Sequence, residues 1–197
     1  MILESIVTTK SADGVVNIAP MGPHFDLNSD FFELRPFQTS TTYSNLCVTP
    51  CGVLHTTDDV LLFAAAALHR FESFPRLVAA SDVDVDRLAD CCQWFEFKTK
   101  HINSSDARAI IHCEIVNRGR HRDFVGFNRA KNAVIEATIL ATRVDFIPLE
   151  EIENQLEPLQ VIVQKTGGPL ESKAFELVRR HVQAAQRCGP SSELSPK

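Results

Sequence analysis

What this chain has little of narrows the field first. Its 197 residues include one tryptophan, one tyrosine, two methionines and eight glycines. No G-x-G-x-x-G and no G-x-x-x-x-G-K occurs, so the familiar loops that bring glycine backbone against a nucleotide phosphate are absent. The longest apolar run, VLLFAAAAL at residues 60–68, falls far short of the roughly 20 residues needed to cross a bilayer, so no membrane partner is expected. A basic excess is missing as well. The net charge is −5 with both signs interspersed, which argues against the counterion-displacing face that nucleic acid requires. The opening MILESIVTTK carries Glu4 where a basic n-region would stand and does not read as a signal peptide, so a cytoplasmic protein is expected. Of the six cysteines, Cys47 and Cys51 stand as C-x3-C and Cys91 and Cys92 are adjacent. Neither spacing belongs to a paired four-ligand zinc pattern, and buried reduced thiols with no metal are the expectation.

What is present is a core. Hydrophobic residues make up 44% of the chain and phenylalanine occurs thirteen times, enough to fold without disulfides. The first half reads mainly as strands. ESIVTTK and VVNIAPMG flank Asp13-Gly14, a hairpin signal between β-branched runs, and DFFELRPF follows as a third strand. TYSNLCVT is helix-compatible and stopped by Pro50; GVLHTT resumes as a strand; Asp58 or Asp59 is placed to cap a helix through VLLFAAAALH. DVDVDRLADCC suggests a short helix. CQWFEFKTKHI and ARAIIHCEIVN form a hairpin around Asn103-Ser104-Ser105-Asp106, with Phe95, Phe97 and Thr99 on a buried face and Glu96, Lys98 and Lys100 on a wet one.

The period then changes. NRAKNAVIEATILATRV carries a helical stripe at Ala130, Ala133, Val134, Ala137 and Ala141, with Ile135, Ile139 and Leu140 on the other side, so this helix is expected to be covered all round. Two more helices follow, separated by Gly167-Gly168-Pro169, and residues 189–197 read as a frayed tail. Strands early and helices late predict an α+β chain: an antiparallel sheet or barrel with a helical appendage.

Four stretches can carry chemistry. In RPFQTSTTYSNL, hydroxyl residues fill positions 39–44 behind Arg35. One reading is a solvated loop that caps a helix. The other is a phosphate cradle, in which Thr39, Ser40, Thr41 and Thr42 add donors to a helix N-terminus and Arg35 adds a bidentate charge. In NIAPMG, Pro20 donates no backbone hydrogen bond and Gly22 has no side chain, so the segment is either a plain strand end or exposed backbone suited to a flat heterocycle. In GFNRAKNAVIEA, Asn128 is a plausible N-cap, and Arg129 and Lys131 either reach into solvent or meet an anion. In HTTDD, His55 beside Asp58 and Asp59 invites acid–base chemistry, but capping of the next helix is the simpler reading.

The blocks GVVNIAPMG, FELRPFQTSTTYSNL, GVLHTTDDVLLF and GFNRAKNAVIEATILATR, in that order, resemble an uncharacterised family of flavin-reductase-like proteins within the FMN-binding split-barrel superfamily. The resemblance implies an antiparallel Greek-key split β-barrel that dimerises, with FMN at the subunit interface and a C-terminal helical extension. Thr42-Tyr43-Ser44-Asn45 is similar to the Thr-x-x-Asn end of the family's phosphate turn. It implies phosphate contacts from Arg35, Thr39, Ser40, Thr41 and Thr42, support from Asn45, and a ring lying along Asn17, Ala19, Pro20 and Met21. Asn128 and Arg129 would complete the pocket from either subunit. The implied division is a split-barrel domain with a helical insertion at 1–145, a helical subdomain packed on it at 146–188 and a flexible tail at 189–197.

The activity implied is that of an oxidoreductase using FMN with NAD(P)H or another reductant, whose acid, base and nucleophile roles fall to no named residue. A non-catalytic flavin carrier is the alternative, as is a split barrel holding another phosphorylated ring such as a deazaflavin or pyridoxal phosphate.

Overall fold

The computed structural model describes residues 1–26 and 28–188; the tail expected at 189–197 lies outside the described residues. The chain divides into two compact units: a β unit of Met1–Asp59 with Ser73–Val125, and a helical unit of Val60–Glu72 with the chain from Gly126 onward.

The β unit is one antiparallel sheet. Its strands are β1 (Ser5–Lys10), β2 (Val16–Met21), β3 (His24–Phe25), β4 (Phe31–Leu34), β5 (Cys51–Thr56), β8 (Gln93–Asn103) and β9 (Ile110–Arg120), in the order β2-β1-β5-β8-β9-β4-β3. The helix α1 (Thr41–Val48) lies between β4 and β5 in sequence, and the hairpin β6 (Leu77–Ala79) with β7 (Asp86–Leu88) forms a separate ribbon. The expected β1–β2 hairpin turns at Asp13-Gly14, where Gly14 takes φ +81°, a left-handed conformation that favours glycine. The sheet curls until its ends meet. Ile2, just before β1, bridges His24 of β3, the Leu3 N–H donates to the Pro23 carbonyl at 3.2 Å, and the Phe25 N–H donates to that of Met1 at 2.8 Å. This is the α+β split-barrel architecture.

One side of the sheet packs Val7, Phe25, Phe32, Leu34, Leu46, Leu54, Phe95 and Phe97 into a common core, with Phe32 edge-on to Phe97 at 5.2 Å between ring centres. The side expected to be wet at Glu96 is covered. Glu96 is fully buried, and its carboxylate accepts the Ser81 and Asp82 N–H groups (Asp82 at 2.6 Å) and the Asn117 amide. The segment before β7 lies over this face, packing Val83 and Val85 against Val53. The short helix expected at DVDVDRLADCC is therefore not formed: Asp86–Leu88 is strand, paired with β6. Alternating Val and Asp at period two suits that strand and loop better than a helix, and the pairing partner across the ribbon was invisible locally.

In the helical unit, α2 (Val60–Ala67), α3 (Arg129–Ala141), α4 (Leu149–Thr166) and α5 (Pro169–Cys188) share a core of Val60, Ala64, Leu68, Ala133, Val134, Ala137, Ile152, Leu156, Phe175 and Val178. The α3 stripe is buried as expected, while Ile135, Ile139 and Leu140 are half-buried and Asn132 and Glu136 reach solvent, so α3 is not covered all round. Among the described residues no helix is long and apolar enough to cross a membrane.

His55 locks the β unit. It is fully buried on β5; its Nδ1 lies 3.2 Å from the Ile6 carbonyl and its Nε2 accepts the Leu88 N–H at 3.1 Å, which fixes the neutral tautomer with Nδ1–H donating. Burial pushes its pKa from 6.5 down to about 3. A base depressed in the fold stabilises it above the unfolded pKa and destabilises it as pH falls from 6.5 toward 3. Urea titrations of wild type and His55→Ala across this window should show two effects. The variant should lose about 2–5 kcal/mol at neutral pH, because two backbone groups lose their partner. The gap between the two proteins should narrow on acidification; a constant gap would mean His55 does not titrate with folding.

Candidate functional site

The site builds outward from the start of α1. Ser40 sits at the N-cap in extended backbone; its Oγ accepts the Tyr43 N–H at 3.2 Å and donates to the Phe37 carbonyl at 2.7 Å. The capping reading of the hydroxyl cluster is thus realised in one residue, as the Ser40 side chain is used locally. Thr39 and Thr41 stay exposed around it. In the first turn, the Thr41 and Thr42 N–H groups precede any intrahelical acceptor, and the helix dipole adds partial positive charge there.

Two amide–hydroxyl bonds hold α1 on the sheet. Buried Asn45 donates from Nδ2 to Thr9 Oγ1 on β1 at 3.0 Å, and Asn17 on β2 donates from Nδ2 to buried Thr42 Oγ1 at 3.3 Å. Thr42 and Asn45 are three apart and so share the helix face that meets β1 and β2. Leu46 beside them is fully buried.

The loop entering α1 is tied to the β8–β9 turn. The Gln38 N–H donates to the Ala107 carbonyl at 3.1 Å, and its Nε2 donates to the carbonyls of Ser104 and Asp106 at 3.0 and 2.6 Å. Tyr43 Oη and Ser104 Oγ are 2.9 Å apart. Arg108 is a cation that no motif in the chain marks out. Its guanidinium lies 3.9 Å over the Phe37 ring and donates to the Arg35 carbonyl at 3.2 Å. The cross-strand bridge of Phe37 with Arg108 brings it to this loop, a pairing that no local pattern announces.

Arg35 itself is half-exposed and paired. Its Nη2 lies 3.0 Å from Glu33 Oε2, while Glu33 Oε1 lies 3.5 Å from His112 Nδ1. The hydrogen bond from Arg35 holds the Glu33 carboxyl below the usual carboxylate range.

Along β2, Ala19, Pro20 and Met21 are half-buried on the edge strand of the sheet, and the Met21 carbonyl accepts Ser5 Oγ at 2.6 Å. An edge position tolerates the missing N–H of Pro20. From Asn17, bonded to α1, to Met21 the strand extends about 13 Å at its usual rise. The structure therefore joins Asn17 directly to Thr42 and sets Asn45 on the same helix face, with Thr39, Ser40 and Thr41 around the same helix start and Ala19–Pro20–Met21 further along the strand that carries Asn17. Asn128 and Arg129 belong to the helical unit. Asn128 caps α3, its Oδ1 accepting the Ala130 and Lys131 N–H groups at 2.8 and 3.1 Å and its Nδ2 donating to the Thr166 carbonyl, while Arg129 is exposed.

The acid–base alternative at HTTDD finds other uses for its members. His55 is neutral and bonded on both nitrogens, and buried Asp58 takes the Arg122 guanidinium at 2.5 Å and the Cys92 thiol at 3.7 Å. Cys91, Cys92 and Cys113 are buried thiols as expected, whereas Cys47 is exposed on α1.

Two family models cover this architecture. The N-terminal model of the family described as protein of unknown function (DUF447) matches residues 3–122, and its C-terminal counterpart matches residues 128–180. The chain belongs to the DUF447 family. A solved FMN-bound protein of the same family, from Methanosarcina mazei, is 24% identical with a TM-score of 0.79 over 91% of this chain and 94% of that one. The 2-nitrobenzoate 2-nitroreductase of Pseudomonas fluorescens is 18% identical at TM-score 0.50, covering 59% of this chain and 64% of that one. Component B of nitrilotriacetate monooxygenase from Bacillus cereus is 14% identical at TM-score 0.50, covering 62% and 71%. At such identities these likenesses show the flavin-reductase-like fold of this DUF447 chain. Among curated proteins none matches it.

The cap supplies a stability test. Ser40→Ala should lower unfolding free energy by about 1 kcal/mol, while Thr41→Ala, at an exposed position, should stay within about 0.5 kcal/mol of wild type. Equal losses in the two variants, measured by chemical denaturation, would remove Ser40 as the cap.

Proposed function

We propose that this chain is an FMN-binding flavoprotein of oxidoreductase type, with the phosphate seated at the start of α1 and the ring along β2. The observation that carries the reading is the helix start itself: a capped N-terminus fixed to β1 and β2, ringed by exposed Thr39 and Thr41, with Arg35 on the loop that enters it and Arg108 held against that loop from the β8–β9 turn. This donor set fits a dianionic phosphate ester. Backbone N–H groups of the first turn, two hydroxyls and a guanidinium each form charge-assisted hydrogen bonds of about 1.5–3 kcal/mol. Ser40 contributes through backbone, since its hydroxyl is already bonded. Asn45 and Thr42 act one step back by holding the helix in place.

The β2 edge offers half-buried Ala19 and Met21 on either side of the apolar ring of Pro20, a surface suited to a flat heterocycle. FMN would bring hydride acceptance at N5, and the protein's part is binding, orientation and electrostatics. The FMN-bound family member from Methanosarcina mazei supports the choice of FMN over another phosphorylated ring. In this reading the protein is a homodimer with the flavin at the subunit interface and NAD(P)H or another reductant as electron donor. Asn128 has its amide committed to the α3 cap, and Arg129 beside it is exposed.

Protein purified as expressed should be yellow, absorbing near about 450 nm, and mass spectrometry of the released ligand should give FMN. A deazaflavin, pyridoxal phosphate or no ligand even after incubation with FMN would overturn the reading. Bleaching by NADH or NADPH with steady turnover on an added acceptor supports an oxidoreductase; resistance to every reductant indicates a carrier.

Arg35→Ala should weaken FMN by about 1.5–3 kcal/mol without unfolding the chain. Light scattering with absorbance should find flavin only in the dimer, and a flavin-loaded monomer would refute the interface placement.

A further inference from the structure

Arg35 does not wait unpaired. It is held by Glu33, two residues before it near the end of β4, and Glu33 Oε1 lies in turn 3.5 Å from His112 Nδ1 on β9. Cross-strand register explains the arrangement, because Glu33 of β4 stands opposite both His24 of β3 and His112 of β9. These side chains line an open pocket of roughly 430 Å3 together with Asp26, Phe25, Phe31 and Phe32. Arg108, the guanidinium that the β8–β9 turn holds against the loop, stacks on Phe37 and bonds a carbonyl. Of the two arginines, one is thus charge-paired and the other is held by ring and backbone.

Resting on the reading that a phosphate ester binds at the start of α1, we propose that Glu33 competes with that phosphate for Arg35 and so keeps the bound flavin exchangeable. An arriving dianion takes the guanidinium, and Glu33 keeps a partner in His112, 3.5 Å away. No buried charge is stranded by the exchange, since Glu33, Arg35 and His112 are all partly exposed. A tightly kept prosthetic group gains nothing from such a competitor. A flavin that must enter and leave does, because the phosphate leaves faster when its main cation has another anion to return to.

The sign of one substitution decides the matter. If Glu33 competes, Glu33→Gln, which keeps the shape and removes the charge, tightens FMN about three- to fivefold, the size expected for releasing a half-exposed ion pair. The gain appears mainly as slower release. Riboflavin, which lacks the phosphate, binds wild type and variant equally, which also shows that the variant is folded. In the Arg35→Ala background the Glu33→Gln effect on FMN disappears. If Glu33 instead aims Arg35 at the phosphate, Glu33→Gln weakens FMN and the proposal falls, as it does if FMN affinity is unchanged. Loss of the Arg35→Ala effect in stopped-flow and titration data, or failure of FMN to bind wild type, removes the phosphate placement itself and the competition with it. FMN bound through Arg35 but indifferent to Glu33 removes the competition alone.

Discussion

The two side-chain amides of Asn45 and Asn17 hold a helix that could not hold itself. At eight residues, with Thr41, Thr42, Ser44 and Asn45 among them, α1 is too short and too poor in helix formers to persist alone in water. It forms because the fold gives its inner face partners. Asn45 meets Thr9, Thr42 meets Asn17, and Leu46 is fully buried. A satisfied hydrogen bond contributes about 0.5–1.5 kcal/mol net, but a buried group left without one costs about 1–3 kcal/mol. The second figure gives these bonds their directional force. Any tilt of α1 that broke the Asn45–Thr9 bond would strand two polar groups under the sheet, so the helix start is aimed as firmly as the strands beneath it.

That constraint also explains how the hydroxyl cluster divides its work. A run of six consecutive hydroxyl residues at 39–44 cannot all face one way. With about 100° between successive residues, some must point at the sheet and some at water. Thr42 turns inward and is bonded, Ser40 caps, and Thr39 and Thr41 remain outside. Cap and proposed cradle would therefore be different residues of one device, with Ser40 as the cap and exposed Thr39 and Thr41 left to the cradle. Local rules could name the device but could not distribute the roles, because that depends on where β1 and β2 lie.

Legibility elsewhere follows the same line. The Asp13-Gly14 hairpin, the β8–β9 pair, α1, α2, and the three C-terminal helices all carry their signals within a dozen residues, and all form. The failures are contacts between distant segments. Glu96 alternates like a solvent-facing residue, yet Ser81 and Asp82, some fifteen positions earlier, cover it and give up their backbone N–H groups to its carboxylate. The β6–β7 ribbon that frames this segment replaces a helix suggested by composition alone. Arg108 reaches the α1 loop through a bridge to Phe37, seventy-one positions away (108 − 37). Periodicity records which way a side chain points relative to its neighbours in sequence; it does not record what later chain is laid on top. The flavin-reductase-like resemblance filled part of this gap by supplying a topology.

The titratable groups that might have tempted a catalytic reading are used to hold the β unit together. His55 joins β1, β5 and β7 and is kept neutral by burial; Asp58 and Arg122 neutralise each other, with Arg122 also reaching Asp90 at 2.9 Å and the Cys92 sulfur at 3.5 Å. Groups so committed are poor proton carriers, since each proton moved would break a bond that the fold depends on. The polar groups around the start of α1 differ in kind: they are neutral hydroxyls, backbone N–H groups and permanently charged guanidinium, none of which changes protonation near neutral pH. Such a set can bind an anion and hold it over a wide pH range, and it leaves the movement of electrons to whatever the anion carries with it. With flavin bound as proposed, a protein built this way would vary its chemistry by access to the ring and by how fast its ligand leaves, and the ion pair between Glu33 and Arg35 is the proposed control on the second of these.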